Sequence, residues 1–263
     1  MEERIKATLK ALKARRMRAR SVGDCEEARD FILNLIPKDA TVGVGDSSTV
    51  RQIGIIKALE KRGTKVINGF DPELPARYGE KHLETVFRLT IEATLGDVFL
   101  TGTNAVTQDG RLLNIDAAGN RVAGMIWGHP QVILVVGKNK IVRDLDEAFH
   151  RVKNVIAPEH VRRRGSFKPP CRVTGKCEEC IGKSRVCNVT TIIEGAPLFS
   201  EINVVIVNKD LGLGWDPSWP QEKIAKIGEE HEKFMCTMPE NAFVGMNKAM
   251  LWHAVKPYIR SKI

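Results

Sequence analysis

Apolar residues at helical spacing open the chain: Ile5, Leu9, Leu12 and Met17 fall roughly on one face, and a second amphipathic stretch over 24–36 stops before Pro37. The pattern then changes. Residues 40–44 form a short apolar run ending in the turn sequence GVGDSST (43–49), which predicts a strand, a turn and a helix to about residue 61, capped at Gly63. Residues 65–68 supply the next strand and complete a βαβ unit. A longer helical stretch over about 77–95 precedes the apolar strand 97–101, and residues 131–137 are nearly all apolar, as expected of a strand buried on both faces. Alternation of this kind predicts an α/β fold in which a parallel sheet carries helices on both faces.

Between those last two strands lies GTNAVTQDGRLLNID (102–116), where Asp109 and Gly110 separate two β-prone pieces and predict a hairpin within the α/β sheet. A helix from Asp144 runs towards Pro158, and residues 162–170 are basic and contain proline, the composition of a connector. A last strand, 202–208, returns to the sheet. The remainder is a mostly helical tail broken by Pro217, Pro220, Pro239 and Pro257. The expected organisation is one α/β domain over 1–215 with an inserted cysteine-rich metal-binding segment at 168–190, followed by a helical C-terminal extension over 216–263.

With 263 residues the chain can bury a sizeable core. It has no run approaching the roughly 20 apolar residues of a membrane span, and its charged N-terminus lacks an apolar signal region, so a cytoplasmic protein without a membrane span is expected. The net charge of +9 is concentrated in the first 20 residues and around the cysteines. Those basic runs lack interleaved aromatics and any nucleic-acid-binding motif, which argues against a nucleic-acid partner and for a solvated face. Arg172, Lys176, Lys183 and Arg185 have a second use, since they would offset the negative charge of a thiolate-bound metal centre.

Four of the six cysteines, Cys171, Cys177, Cys180 and Cys187, are spaced C-x5-C-x2-C-x6-C. Four soft ligands suit zinc or an iron–sulfur cluster. Zinc ribbons usually have two close pairs, whereas here one pair is flanked by single cysteines, as expected when ligands wrap a bulkier group. A [4Fe-4S] cluster is therefore favoured, with zinc as the alternative. Four local ligands point to a structural staple or an electron relay.

The GVGDSST turn offers backbone N–H groups and hydroxyls from Gly43, Gly45, Ser47, Ser48 and Thr49 at a helix N-terminus, where a phosphate or carboxylate can bind. The plainer reading is that Ser47 only caps the helix. The turn lacks the lysine ending of a P-loop and the full dinucleotide fingerprint, which weakens ATP and NAD readings. Gly102, Thr103 and Asn104 follow another strand at the same carboxyl edge of the sheet, where open α/β folds place ligands. Two loops would then share one pocket, with Asn114 and Asp116 nearby. His129, in WGHP (127–130), is a candidate acid or base, and Asn104 and Asp116 are the other catalytic candidates.

The run TGTNAVTQDGRLLNIDAAGNRV (101–122), followed by GHPQVILVVGKNK (128–140), closely resembles the LUD domain of lactate utilisation protein C and its relatives, and GVGDSST fits the first loop of the same family. The resemblance covers about residues 1–215 and implies a fold similar to the NagB/RpiA/CoA-transferase group. The central pattern is also similar to that of methylthioribose-phosphate isomerases, with Asn104 standing where those enzymes have an acid. The family resemblance implies a part in oxidation of lactate to pyruvate alongside iron–sulfur partner proteins, and the cysteine segment resembles that of a subset found in anaerobes. Three functions follow as expectations: an iron–sulfur redox component that takes a small anionic hydroxy acid; a phosphosugar or CoA-ester isomerase or transferase whose metal is structural; or an assembly subunit without catalysis. Self-association is left open.

Overall fold

The computed structural model describes residues 1–165, 167–236 and 248–260; Pro239 lies outside these. Helix α1 (Glu2–Ala14) buries Ile5 and Leu12, and Arg16, at φ +62, turns the chain into strand β1 (Arg18–Val22). Met17 is a core residue but belongs to this turn and not to the helix. The sequence pattern does not announce β1, because as an edge strand it buries only Val22 fully and otherwise reads as polar. Helix α2 (Cys25–Leu35) starts at Asp24, whose carboxylate accepts from the Glu26 and Glu27 amides.

Strand β2 (Thr41–Val44) leads through the glycine turn to α3 (Ser48–Gln52) and α4 (Ile55–Lys61), then to β3 (Lys65–Asn68). The single expected helix is split by Gly54, which takes φ +71. The next long helix is likewise divided, into α5 (Leu74–Tyr78), a 3-10 turn (Gly79–Lys81) and α6 (His82–Ala93). Strand β4 (Val98–Gly102) follows, then β5 (Ala105–Thr107), β6 (Leu112–Asp116), α7 (Asn120–Ile126), β7 (Gln131–Gly137) and β8 (Ile141–Val142).

Helix α8 (Leu145–Arg151), a π turn (Val152–Ile156) and α9 (Ala157–Arg164) run on as one rod. Proline normally ends a helix because its ring clashes with the carbonyl four residues back and its nitrogen has no proton. Here the turn before Pro158 widens to π geometry and the helix continues, so residues 162–164 are helical and the connector begins later. The remaining elements are α10 (Cys171–Thr174), β9 (Val189–Ile193), β10 (Glu201–Val207), α11 (Gln221–Lys233), which starts after Pro220, and α12 (Lys248–Arg260), which contains Pro257.

Six parallel strands form the main sheet in the order β1-β10-β7-β4-β2-β3. Successive residues of its central strands feed opposite cores: Phe99, Val132 and Leu134 face one layer, Leu100, Ile133 and Val135 the other. Burial on both faces is why these strands are continuous apolar runs. The expected hairpin forms, with Ala105 opposite Leu113 and Gly110 at φ +85, but it lies in a second, four-stranded sheet of order β8-β5-β6-β9 and not within the parallel one. A two-strand hairpin leaves its strands antiparallel, so it cannot add to a parallel ladder without a crossover.

The topology also fixes where a ligand can sit. After β2 the chain moves outward to β3, and after β4 it moves the other way to β7, so the crevice between the carboxyl ends of β2 and β4 is the switch point of the sheet. Gly43 serves packing there: a Cβ would stand 1.9 Å from the Ala93 carbonyl oxygen, so glycine lets α6 lie against β2. The extension packs on this body through Phe87 and Trp252, whose rings meet edge-on at 5.4 Å, and through contacts of α11 described below. Among the described residues, no helix is long and apolar enough to cross a membrane.

Candidate functional site at the sheet switch point

The two glycine loops meet. A Cβ at Gly102 would come within 2.6 Å of Ser47 Oγ, and one at Gly45 within 2.6 Å of Thr101 Oγ1. Ser47 caps α3 through the Val50 amide at 3.3 Å, which leaves its two neighbours to reach other partners.

Around the start of the second loop the polar residues close on Arg121. Its Nη1 donates to the Gly102 carbonyl (3.0 Å) and Asn114 Oδ1 (2.7 Å), and its Nη2 to Asn104 Oδ1 (2.8 Å), the Ile115 carbonyl (3.3 Å) and Asp116 Oδ1 (2.5 Å). Asp116 Oδ2 takes the Val122 amide and Asn104 Oδ1 also takes the Ile115 amide. Asn104, Asn114 and Asp116 are thus brought together as a cage for one buried guanidinium. Thr103 joins them by donating to Asn114 Oδ1 at 2.9 Å.

Lys140, on the turn that follows β7, points into the same crevice and is only 7 % exposed. Its ammonium donates to Thr49 Oγ1 at 2.9 Å and to the Thr103 carbonyl at 3.1 Å. An ammonium has three hydrogens, and the third has no acceptor among the described residues. Burial, helped by the charge of Arg121, pushes Lys140 down to about 7. It can therefore bind a carboxylate as a cation or accept a proton as an amine near neutral pH.

From the same GVGDSST turn, Asp46 is gripped by Arg51 Nη2 at 2.8 Å and Arg164 Nη1 at 3.0 Å, one on each oxygen. Burial opposes its ionisation, but the two guanidiniums outweigh that and hold its carboxyl well below the usual carboxylate range. Burial and the nearby Arg164 push His160 down to about 4. Ser48 Oγ lies 2.8 Å from Nδ1 of His231, which α11 carries across the edge. Arg51 Nε also donates to the Phe234 carbonyl at 2.5 Å, and Arg163 pairs with Glu232, so α11 is tied down from two sides.

His129 lies elsewhere. It precedes β7 at the amino end of the sheet, stacks on Phe99 with centroids 4.9 Å apart, and its Nδ1 contacts the Gly96 carbonyl at 2.8 Å. Burial lowers its pKa. One ring stands between it and the first glycine loop, since a Cβ at Gly45 would come within 3.0 Å of Phe99 Cζ.

The four cysteines are near enough to feel one another's charge: burial raises the Cys171 thiol, and Cys180, Cys187 and Cys177 add to it. The Glu179 amide, at φ +46, donates to Cys177 Sγ at 3.4 Å, a sulfur-directed turn, and Cys177 N donates to Asn154 Oδ1. Arg185 bonds the carbonyls of Cys180 and Cys187. As placed, no three His, Cys, Asp or Glu side chains among the described residues form a ready ligand shell. The donor chemistry and the amide-to-sulfur bond fit a metal centre; gathering the thiols requires the 175–188 loop to tighten.

Sequence reading passed over Arg121, Lys140, Asp46, Arg51, Arg164, His160 and His231. Asp46, Arg121 and Lys140 stand inside the runs that carried the family resemblance, and Lys140 follows a nearly all-apolar strand by three residues. His160, Arg164 and His231 reach the site only through the fold. Thr49, Thr103, Lys140 and His231 are all buried, and two open clefts have other linings: one of about 630 Å³ lined by Arg4, Arg143, Glu147, Arg151 and Asp216, and one of about 340 Å³ lined by Phe149, Lys153, Asn154 and Cys177.

Two outcomes follow from these buried charges. Replacing Arg121 with methionine strands Asp116, Asn104, Asn114 and the Gly102 carbonyl, so urea unfolding should show a loss of about 3–5 kcal/mol; an unchanged midpoint would contradict the cage. Lys140, at about 7 in the folded chain against roughly 10.4 unfolded, makes the unfolded state the proton-richer one in between, so stability should rise from pH 7 to about 10. His160 and His231, at about 4 and about 3 against roughly 6.5, act in the same sense at lower pH. In Lys140→Met the rise above pH 7 should flatten, and a slope equal to wild type would contradict a depressed lysine.

The model of the LUD domain matches residues 5–207. Among solved structures the chain is similar to the crystal structure of a DUF162 family protein from Deinococcus radiodurans, with 13% identity and a TM-score of 0.41 over 79% of this chain and 96% of that one. No curated protein matches the chain. The LUD match spans most of the chain and contains both glycine loops, the Arg121 cage and Lys140, and the protein therefore belongs to the LUD-domain family.

Proposed function

We propose that the protein is a redox component in the oxidation of lactate or another small hydroxy acid, holding the organic anion at the β2–β4 switch point and an iron–sulfur cluster on Cys171, Cys177, Cys180 and Cys187. The family is linked to lactate utilisation. The observation that carries the reading is Lys140, a buried ammonium with an unused hydrogen, placed between the two loops and poised near neutral pH. As a cation it binds the carboxylate that a hydroxy acid and its keto-acid product share. Arg121, whose terminal nitrogens are occupied by its cage, positions the loop and does not compete for the anion.

The helix from Leu145 to Arg164 supports a link between the two centres. Asn154 touches the cysteine loop and His160 lies beside the anion site. Six residues of helix span about 9 Å. When bound, a [4Fe-4S] cluster would supply one-electron transfer to or from an iron–sulfur partner protein.

Two assays on protein purified without oxygen test the reading. Iron and sulfide analysis should give about four of each per chain, lost when Cys177 and Cys180 are both changed to serine. Calorimetric titration with pyruvate should show binding that Lys140→Met weakens about tenfold or more. One zinc per chain without iron would overturn the redox role, and pyruvate binding indifferent to Lys140 would overturn the site.

A further inference from the structure

Three buried nitrogens at the strand edge have no hydrogen-bond partner among the described residues: His231 Nε2, Arg51 Nη1 and Arg164 Nε. All belong to one cluster. Arg51 and Arg164 hold the two oxygens of Asp46, and Ser48, two residues along the same turn, holds His231 Nδ1. His231 is 5 % exposed and sits on α11, beyond the region that matches the LUD domain. Burial, with the nearby charges of His160 and Lys140, pushes its imidazole down to about 3, so at neutral pH one ring nitrogen accepts and the other donates. When Nδ1 accepts the Ser48 hydroxyl proton, Nε2 carries a hydrogen directed into the protein with no acceptor among the described residues.

We propose that the C-terminal extension completes the site: His231, oriented by Ser48, is a ligand-binding residue whose Nε2–H acts with Arg51 Nη1 and Arg164 Nε to receive an oxyanion group, carboxylate or phosphate, of the bound molecule. The proposal rests on reading the β2–β4 edge as an anion site. Two guanidiniums against the single carboxylate of Asp46 leave the cluster net positive, and both oxygens of that carboxylate are already taken, which limits its repulsion of a second anion. Because His231 and Lys140 are both buried, α11 has to shift for a ligand to enter, so helix and ligand close the site together. The Arg163–Glu232 pair and the Arg51 bond to the Phe234 carbonyl are the contacts that hold the helix in the closed position.

The test uses the full chain labelled with nitrogen-15, titrated separately with pyruvate and with inorganic phosphate while the His231 ring nitrogens are followed by NMR. A shift of Nε2 with pyruvate supports a carboxylate ligand, and one with phosphate alone supports a phosphorylated one. Calorimetry on variants gives the second arm. His231→Phe should weaken binding of the active probe about tenfold, while His231→Gln, which keeps an N–H near the Nε2 position, should retain most of it. If wild type binds and Lys140→Met does not, yet Nε2 stays fixed and His231→Phe binds normally, the role of α11 is overturned and the anion site stands. If neither probe binds wild type, the anion site itself falls. The wild-type resonance does not depend on how well any variant folds.

Discussion

A single buried guanidinium joins the two sheets of this protein. Arg121 lies on α7, yet its five acceptors come from the end of β4, the loop after it and the second strand of the hairpin. A buried cation is tolerated only with a full set of partners, so its cage sets the geometry of everything nearby. It bonds the Gly102 carbonyl and the Asn104 side chain on either side of Thr103, whose carbonyl is one of the two acceptors of Lys140, and its charge helps to keep that lysine close to losing its proton. The chemistry of the edge and the joining of the sheets therefore depend on the same side chain.

A second cluster, around Asp46, complements the first. There one carboxylate is shared by two arginines, and helix α11 closes over it with a neutral histidine. Glycine supplies the clearance: at Gly212, which takes φ +67, a Cβ would stand 2.5 Å from Thr49 Oγ1 and 3.0 Å from Lys140 Nζ. The segment leading to α11 can press onto the lysine only because no side chain intervenes.

Most of the scaffold was legible in the sequence because its central strands are buried on both faces and so stand out as apolar runs, and 131–137 matches the structure residue for residue; the edge strand 65–68 matches too, although only Ile67 of it is buried. The strands that escaped notice, β1, β8 and β9, are short or half-exposed, and their side chains carry no such pattern. The glycine loops and the polar residues of the hairpin were visible as motifs, whereas the residues that bind them into one site were not. Asn104, Asn114 and Asp116 look from sequence like groups aimed at a ligand; the fold shows their oxygens turned to Arg121. His231 stands more than 180 positions from Ser48, and no local pattern announces such a contact. Pro158 misled for a related reason, since a π turn absorbed the clash that normally ends a helix.

The central claim is that the β2–β4 switch point holds a small organic acid against Lys140. A crystal structure of the protein grown with pyruvate tests it most directly. The account predicts the pyruvate carboxylate within hydrogen-bond distance of Lys140 Nζ, using the hydrogen that Thr49 and Thr103 leave over. Pyruvate seated instead in the open cleft beside Arg4 and Arg151, with Lys140 still bonded to Thr49 and Thr103 alone, would contradict it.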